Sequence, residues 1–217
     1  MIKNTIIAVD GTAASGKGTL AKFLSKEFRY AYLDTGKLYR VVAYIIIKDK
    51  INHKDINLIQ KIFKNFNFEE ISVLDVDLKN DKVGKMASII ANYIEIRQIL
   101  KNYQKEFAFR KHENMSGVIL DGRDIGTVVL PDANIKFFVD ASLDVRAERR
   151  WKELISLGQS TIKRNVLEDL RNRDKRDSQR KHSPLIPASD AVLLDTTDLN
   201  ANEVFLLAKK YIENYLN

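Results

Sequence analysis

The chain has 217 residues, 45% of them hydrophobic and 30% charged: enough length and apolar content for one α/β domain with a core, and no bias toward disorder or fibrous structure. Cysteine is absent, which excludes disulfides and thiolate metal sites, and the three histidines at 53, 112 and 182 are scattered rather than clustered for a metal. The net charge of +7 admits nucleic acid as a partner, but lysine is spread along the chain with Asn and Ile, whereas arginine gathers in residues 146–150 and 164–180, a pattern suited to local grip on phosphates.

In chain order, the apolar residues 5–9 predict a first strand. A turn follows, Gly11-Thr12-Ala13-Ala14-Ser15-Gly16-Lys17-Gly18-Thr19, and then Leu20, Phe23, Leu24 and Phe28 at helical spacing. Further strands are predicted at 31–33, 118–120, 135–139 and 191–194, with helical patterns between them. Residues 63–85 are less regular, and alternation within 71–78 suggests a small extra hairpin. Met86, Ile89, Ile90, Tyr93, Ile96, Leu100, Tyr103 and Phe107 follow a helical period, and residues 204–216 predict an amphipathic structural helix.

Strands alternating with helices imply an α/β fold, a parallel sheet with helices on both faces. The strand candidates end in carboxylates, Asp10, Asp34, Asp121, Asp140 and Asp195, at the edge where such sheets bind ligands; a strand-end Asp is also a common turn former. The first strand starts too early for a signal peptide, and apolar runs such as 41–47 are too short to cross a bilayer, so cytoplasmic residence is expected.

Strand, Gly-rich turn and helix together make the context of a phosphate site. The glycines let backbone N–H groups converge on an anion, the helix N-terminus adds positive potential, and Lys17 brings a mobile charge for the outer phosphates. One detail departs from the plain G-x-x-x-x-G-K-[ST] pattern: Gly18 follows the lysine, and the hydroxyl comes at Thr19.

Four further segments carry a resemblance: Leu33-Asp34-Thr35-Gly36-Lys37-Leu38-Tyr39-Arg40, Asp121-Gly122-Arg123-Asp124-Ile125-Gly126-Thr127-Val128-Val129, Pro131-Asp132-Ala133, and Arg173-Asp174-Lys175-Arg176-Asp177-Ser178-Gln179-Arg180. With the phosphate turn, the chain resembles the bacterial cytidylate kinases of the nucleoside monophosphate kinase family from about residue 6 to 195. The phosphate turn alone is shared by many kinases; the D-G-R-D-I-G-T-V-V run in order with R-D-x-R-D-x-x-R is far more specific. The resemblance implies a P-loop kinase with a five-stranded parallel sheet. It would be a single kinase domain: a CORE at about 1–35, 113–150 and 169–217, a monophosphate-binding region at about 36–112, and a short LID at about 151–168. It also implies transfer of phosphate from ATP to CMP or dCMP with Mg²⁺, by a monomer without nucleic-acid or membrane partners.

Residue roles follow from the same resemblance. Gly11, Thr12, Ala13, Ala14, Ser15, Gly16, Lys17, Gly18 and Thr19 would bind ATP, and Lys17, Arg123 and Arg180 would act on the phosphates. Arg40 and Arg123 would grip the CMP phosphate, with Thr35 and Tyr39 beside them, and Arg173 and Asp177 would meet the ribose. Ser88, Arg97 and Asp124 match positions at the base; Arg97 can donate to the cytosine acceptors, and Asp124 can accept from the amino group. Asp121 would hold Mg²⁺ through water. Ser88 and Arg97 lie nine residues apart, on opposite sides of one straight helix at ~100° per residue, so if both touch one base the helix must break near residues 91–95. A solvated, alternating-charge helix face is the other reading of 173–180. Which of Arg146, Arg149 and Arg150 would reach the transferred group is open.

Lys37 and Lys79 depart from the family pattern, and the region before Ser88 is shorter than in many members. Three other readings compete: a kinase of the same fold for UMP, AMP or a small metabolite; a P-loop regulatory NTPase, which lacks an Asn-Lys-x-Asp element here; and a basic nucleic-acid-binding protein, which leaves the phosphate turn unexplained.

Overall fold

Parallel pairing of apolar strands builds the centre of the molecule. The structure is a computed structural model that describes residues 5–64, 66–68, 78 and 80–217. Five strands, β1 (Thr5–Gly11), β2 (Tyr30–Asp34), β3 (Gly117–Gly122), β4 (Ile135–Asp140) and β5 (Val192–Asp195), form one sheet in the order β2-β3-β1-β4-β5. The predicted α/β architecture and all five strands are present. β1 runs parallel to β3 with Asp10 opposite Gly122, and parallel to β4 with Asp10 opposite Phe138. The strands therefore end level, and their carboxyl ends bring the phosphate turn, the D-G-R-D run and Asp140 to one edge.

The chain divides into two compact units, Met1–Leu33 with Lys111–Asn217, and Asp34–Arg110. In the first, alternate residues of the central strands, Ile7, Val9, Ile119, Ile135, Phe137 and Val139, pack on Leu20, Ala21 and Leu24 of α1 (Lys17–Phe28). The same cluster takes in Val204, Ala208 and Ile212 at helical spacing on the C-terminal helix Ala201–Leu216. Burying side chains of this size stabilises by about 1.5–3 kcal/mol each. That helix starts with a capping box, Asn200 accepting from the Glu203 amide and Glu203 from the Asn200 amide, three residues before the predicted start.

In the second unit, α2 (Thr35–Lys48) buries Leu38, Val41, Val42 and Ile46, a stripe at helical spacing. Two short helices follow: α3 (Ile56–Phe63) and α4 (Asp81–Ile90). The longer α5 (Ile94–Phe109) completes the unit. α2 packs with α4, and α3 with α5. The predicted continuous helical pattern from Met86 to Phe107 is thus broken at residues 91–93. The side chain of Asn92 donates to the carbonyls of Ser88 and Ile89 at 3.2 and 3.1 Å, capping α4, while Tyr93 is extended and starts α5. The hairpin expected within 71–78 falls on residues outside those described except for Leu78, and Lys79 lies outside them too.

After β4, α6 (Leu143–Ser156) and α7 (Lys163–Gln179) pack on each other, and the final helix is α8 (Ala201–Leu216). Ala147 and Leu154 of α6 and Val166 and Leu170 of α7 share a small apolar cluster with Ala13, so the helix pair is anchored on the phosphate turn.

Candidate active site

The turn after β1 is held from several sides. Thr12 donates its amide to the Val139 carbonyl at 3.3 Å and its hydroxyl to Asp140 Oδ1 at 2.6 Å. The Ser15 hydroxyl and Lys17 Nζ both donate to the Thr12 carbonyl, at 3.0 and 3.2 Å. Arg146 Nη1 reaches the Ala13 carbonyl at 3.4 Å, and Thr196 Oγ1 the Ser15 carbonyl at 2.9 Å. Glycine is required at Gly11, φ +153°, where a Cβ would lie 2.0 Å from the Val139 carbonyl oxygen, and Gly16 takes φ +93° as the first cap of α1. α1 has no acidic residue in its first turn and no side-chain cap, so the positive end of its dipole is set for an anionic ligand.

Gly18 has a steric cause. A Cβ there would come within 3.0 Å of Asp121 Oδ2. The departure from the plain lysine–hydroxyl pattern therefore makes room for the buried carboxylate at the end of β3. Among the described residues no three His, Cys, Asp or Glu side chains gather into a metal cage. Magnesium in phosphoryl transfer uses one or two carboxylates plus waters and substrate phosphates, and Asp121 beside the first turn of α1 fits that kind of site.

Beyond β3, Arg123 and Asp124 lead into a π-type turn, Ile125–Val129. The Arg123 guanidinium donates through Nε to Asp177 Oδ2 at 3.0 Å and through Nη1 to the Gly122 carbonyl at 3.2 Å. Asp177 on α7 is only 4% exposed and also faces Arg173 Nε at 3.8 Å and Arg180 Nη1 at 3.9 Å. Burial pushes its carboxyl up, but Arg123, Arg173 and Arg180 outweigh that and hold it below the ordinary carboxylate value. The alternating-charge face expected as one reading of 173–180 is therefore not solvated: Asp177 and Arg180 are buried, and Arg180 Nε also donates to the Ser183 carbonyl. Arg171 and Lys175, on the other side of α7, are exposed.

The three arginines on α6 separate by their partners. Arg146 is buried, donates to the Ala141 carbonyl at 2.8 Å and pairs with Asp174 at 2.8 Å, tying α7 to the phosphate turn. Burial pushes the Asp174 carboxyl up despite that arginine. Arg149 is committed to the segment after β5, donating to Thr196 Oγ1 at 2.9 Å and to the Thr196 carbonyl at 2.6 Å. Arg150 pairs with Glu153 at 2.8 Å, one turn away on its own helix.

In the unit Asp34–Arg110, Asp34 caps α2 by accepting the Lys37 amide at 3.0 Å, which presents Thr35, Gly36, Tyr39 and Arg40 on the first turns. Arg40 Nη1 donates to the Leu78 carbonyl at 2.6 Å, and its guanidinium packs on Gly84, where a Cβ would stand 3.1 Å from Nη2. Arg97 is buried, donates to the Ala91 carbonyl at 3.1 Å and lies over the Tyr39 ring, 5.7 Å from its centroid. Ser88 is buried near the end of α4. The break at 91–93 removes the opposite-sides objection to Ser88 and Arg97 serving one ligand.

The turn-forming role expected of strand-end aspartates is present, but the partners carry no signal in the sequence. Four of the five strand-end carboxylates make turn or cap bonds: Asp10 to Ile125 and Gly126, Asp34 to Lys37, Asp140 to Thr12 and Ala141, Asp195 to Thr197. Their position was a signal, but not their partners. Thr196, which joins Ser15 to Arg149, carried no signal at all.

A model of the protein family described as Cytidylate kinase matches residues 7–214. The cytidylate kinase of Paramagnetospirillum magneticum is 43% identical over 205 residues, covering 94% of this chain and 96% of that protein. The cytidylate kinase of Rickettsia rickettsii is 41% identical over 212 residues, covering 98% and 93%. Among solved structures, an uncharacterized protein from Eubacterium ventriosum superposes with a TM-score of 0.54 at 14% identity, covering 97% of this chain and 99% of that one, a likeness of fold alone. Matches that run almost end to end, and that take in the phosphate turn, the D-G-R-D run and α7 together, go further than fold: the chain belongs to the cytidylate kinase family.

Proposed function

We propose that this chain transfers the γ-phosphoryl group of ATP to CMP or dCMP, giving ADP and CDP or dCDP. The observation that carries the reading is the family match across residues 7–214, which spans every segment singled out for phosphate, sugar or base. In this reading the unit Asp34–Arg110 serves as the monophosphate-binding region, residues 151–168 as the LID and the remainder as the CORE, in a cytoplasmic monomer whose partners are small molecules.

Transfer between two anions asks for charge neutralisation and in-line placement more than for covalent catalysis. Lys17 and the amides of the turn from Gly11 to Thr19 hold the ATP phosphates. Arg40 and Arg123 grip the CMP phosphate, with Thr35 and Tyr39 beside it, and Arg180 adds charge at the transferred group. Arg146, Arg149 and Arg150 are each engaged within the fold, Arg146 with Asp174, Arg149 with Thr196 and Arg150 with Glu153, so none of the three is singled out for that same task. Asp177 accepts from sugar hydroxyls and Arg173 donates to them. Ser88, Arg97 and Asp124 read the base. Mg²⁺, held by Asp121 through water, would neutralise charge on the ATP phosphates.

The test is turnover of ATP with CMP, dCMP, UMP, AMP and GMP in a coupled assay, in the wild type and in Asp124→Ala. CMP and dCMP should be preferred and AMP and GMP rejected. UMP sets a carbonyl against the Asp124 carboxylate, a mismatch of about 1–3 kcal/mol. Asp124→Ala should therefore lose CMP activity and keep most UMP activity. A wild type that favours AMP overturns the assignment, and an unchanged CMP/UMP ratio in the variant removes Asp124 from base reading.

A further inference from the structure

Asp10 stands near the end of β1, beside Gly122 of β3, and is 5% exposed. Its two oxygens accept from the amides of Ile125 at 2.8 Å and Gly126 at 2.7 Å, across more than a hundred residues of sequence. Those are the first two amides of the π-type turn, orphan donors with no partner inside it, and the second of them, Gly126, is of the kind that a preceding residue's side chain can cap. The preceding residue here is Asp124, and its side chain makes no such cap. The cap comes instead from another strand.

The rest of the turn is held as tightly. The Asp124 carbonyl accepts from Val128 and Val129 at 2.9 and 3.1 Å, and the Ile125 carbonyl accepts from Leu130 at 2.7 Å. Lys136 donates to the Pro131 carbonyl and pairs with Asp190 at 2.8 Å. A Cβ at Gly126 would sit 3.1 Å from Lys136 Cδ and 3.5 Å from Asp10 Oδ2, so a glycine is what fits between the two anchors.

We infer that Asp10 is a positioning residue for the acceptor nucleotide: by capping Ile125 and Gly126 from β1, it fixes the backbone from which Arg123 and Asp124 project, and so leaves the Asp124 side chain out of the capping. Burial pushes the Asp10 carboxyl up to about 6, and a carboxylate kept ionised at neutral pH in such a place is an expensive way to cap a turn if only the fold were served. The inference rests on the reading of Arg123 and Asp124 given above.

Asp10→Asn keeps the shape but turns an amide N–H₂ toward one of the two backbone N–H groups, so one bond is lost and the turn is pushed aside. The measurement is KM for CMP and KM for ATP, with near-UV circular dichroism to check packing. We expect KM for CMP to rise about tenfold, the effect of one charge-assisted hydrogen bond, while KM for ATP stays within about twofold. Equal rises in both, or no rise for CMP, overturn the inference. If Asp10→Asn does not fold, Gly126→Ala, which pushes the same turn off Lys136, should show the same split, and its absence overturns the inference equally. Arg123→Ala is measured alongside: a wild-type KM for CMP there would overturn the role of Arg123 itself, not that of Asp10. In the Arg123→Ala background the effect of Asp10→Asn should shrink at least about threefold, and full additivity of the two would refute action through the turn.

Discussion

Replacing Asp177 by alanine removes a buried carboxylate shared by three arginines, and its cost can be worked from the geometry. At 3.0 Å from Arg123 Nε, the attraction is about 5 kcal/mol at an effective dielectric of ~20, before desolvation is counted. Breaking one side of such a buried pair costs about 3–5 kcal/mol net, because the guanidiniums remain without their counter-charge. The Arg123 side chain is 15% exposed, which favours the lower end. For a chain of this length the loss corresponds to a fall in Tm of about 6–20 °C. The carboxyl is held below its ordinary value, so its contribution is fully present above 3.8 and is lost only as pH falls through the still lower folded value; a melt at neutral pH reads all of it. The same variant assayed for kcat/KM with CMP and dCMP separates two roles. Asp177 Oδ2 is taken by Arg123, and Oδ1 stands 3.9 Å from Arg180 Nη1, beyond hydrogen-bond length. A hydrogen bond from the 2′-hydroxyl to Oδ1 makes the losses unequal, since only CMP has that group. Asp177→Asn, which keeps an acceptor, should recover part of the loss. An unchanged Tm would refute the ion-pair argument, and equal losses on CMP and dCMP would refute a contact to the 2′-hydroxyl.

Lys17→Ala should lower kcat by about 10²–10³, roughly 3–4 kcal/mol of transition-state charge stabilisation, with little change in Tm because removing the side chain opens no apolar core cavity and costs the bond to the Thr12 carbonyl; near wild-type kcat in a folded variant would sink the phosphate-loop assignment. Gly84→Ala improves helix propensity by up to about 1 kcal/mol but drives a Cβ to 3.1 Å from the Arg40 guanidinium, so Tm should hold or rise while KM for CMP climbs about tenfold; an unchanged KM would detach Arg40 from the acceptor phosphate. Asp10 has a folded value of about 6 against 3.8 unfolded, so the folded state holds the extra proton between them and stability falls as pH rises through that window, by about 3 kcal/mol at 1.36 kcal/mol per unit. Chemical denaturation of wild type and Asp10→Asn from pH 4 to 7 checks this: the difference in stability should change across the window, and parallel curves would contradict it.

Strand, turn and helix periods are local properties, and they were legible as such: the five strands, the phosphate turn and the C-terminal helix all follow from runs of a few residues whose side chains either alternate or repeat every turn. The order β2-β3-β1-β4-β5 is a long-range outcome that residue patterns constrain only through the parallel crossovers. The break after α4 was foreseen as a geometric condition for Ser88 and Arg97, but its cause, the Asn92 side chain folding back on the Ser88 and Ile89 carbonyls, is a local competition that hydrophobic period cannot register.

What the sequence by itself determined is the chemical inventory: which residues carry charge, hydroxyl or amide, and their order along a kinase pattern. Tertiary structure alone decided how those groups are spent. Gly18 departs from the plain motif, and the Asp121 carboxylate packed against it supplies the reason. The run 173–180 also admits reading as a solvated face, which Arg123, more than fifty residues away in sequence, rules out by meeting Asp177. Arg146 and Arg149, alike in sequence, part company because one reaches the Ala13 carbonyl and the other Thr196. The reason is common to all: a charge or a hydrogen-bonding group acquires its role from the partner brought to within about 3 Å of it, and partners separated by a hundred residues are chosen by the packing of the sheet and its helices rather than by neighbours in the chain.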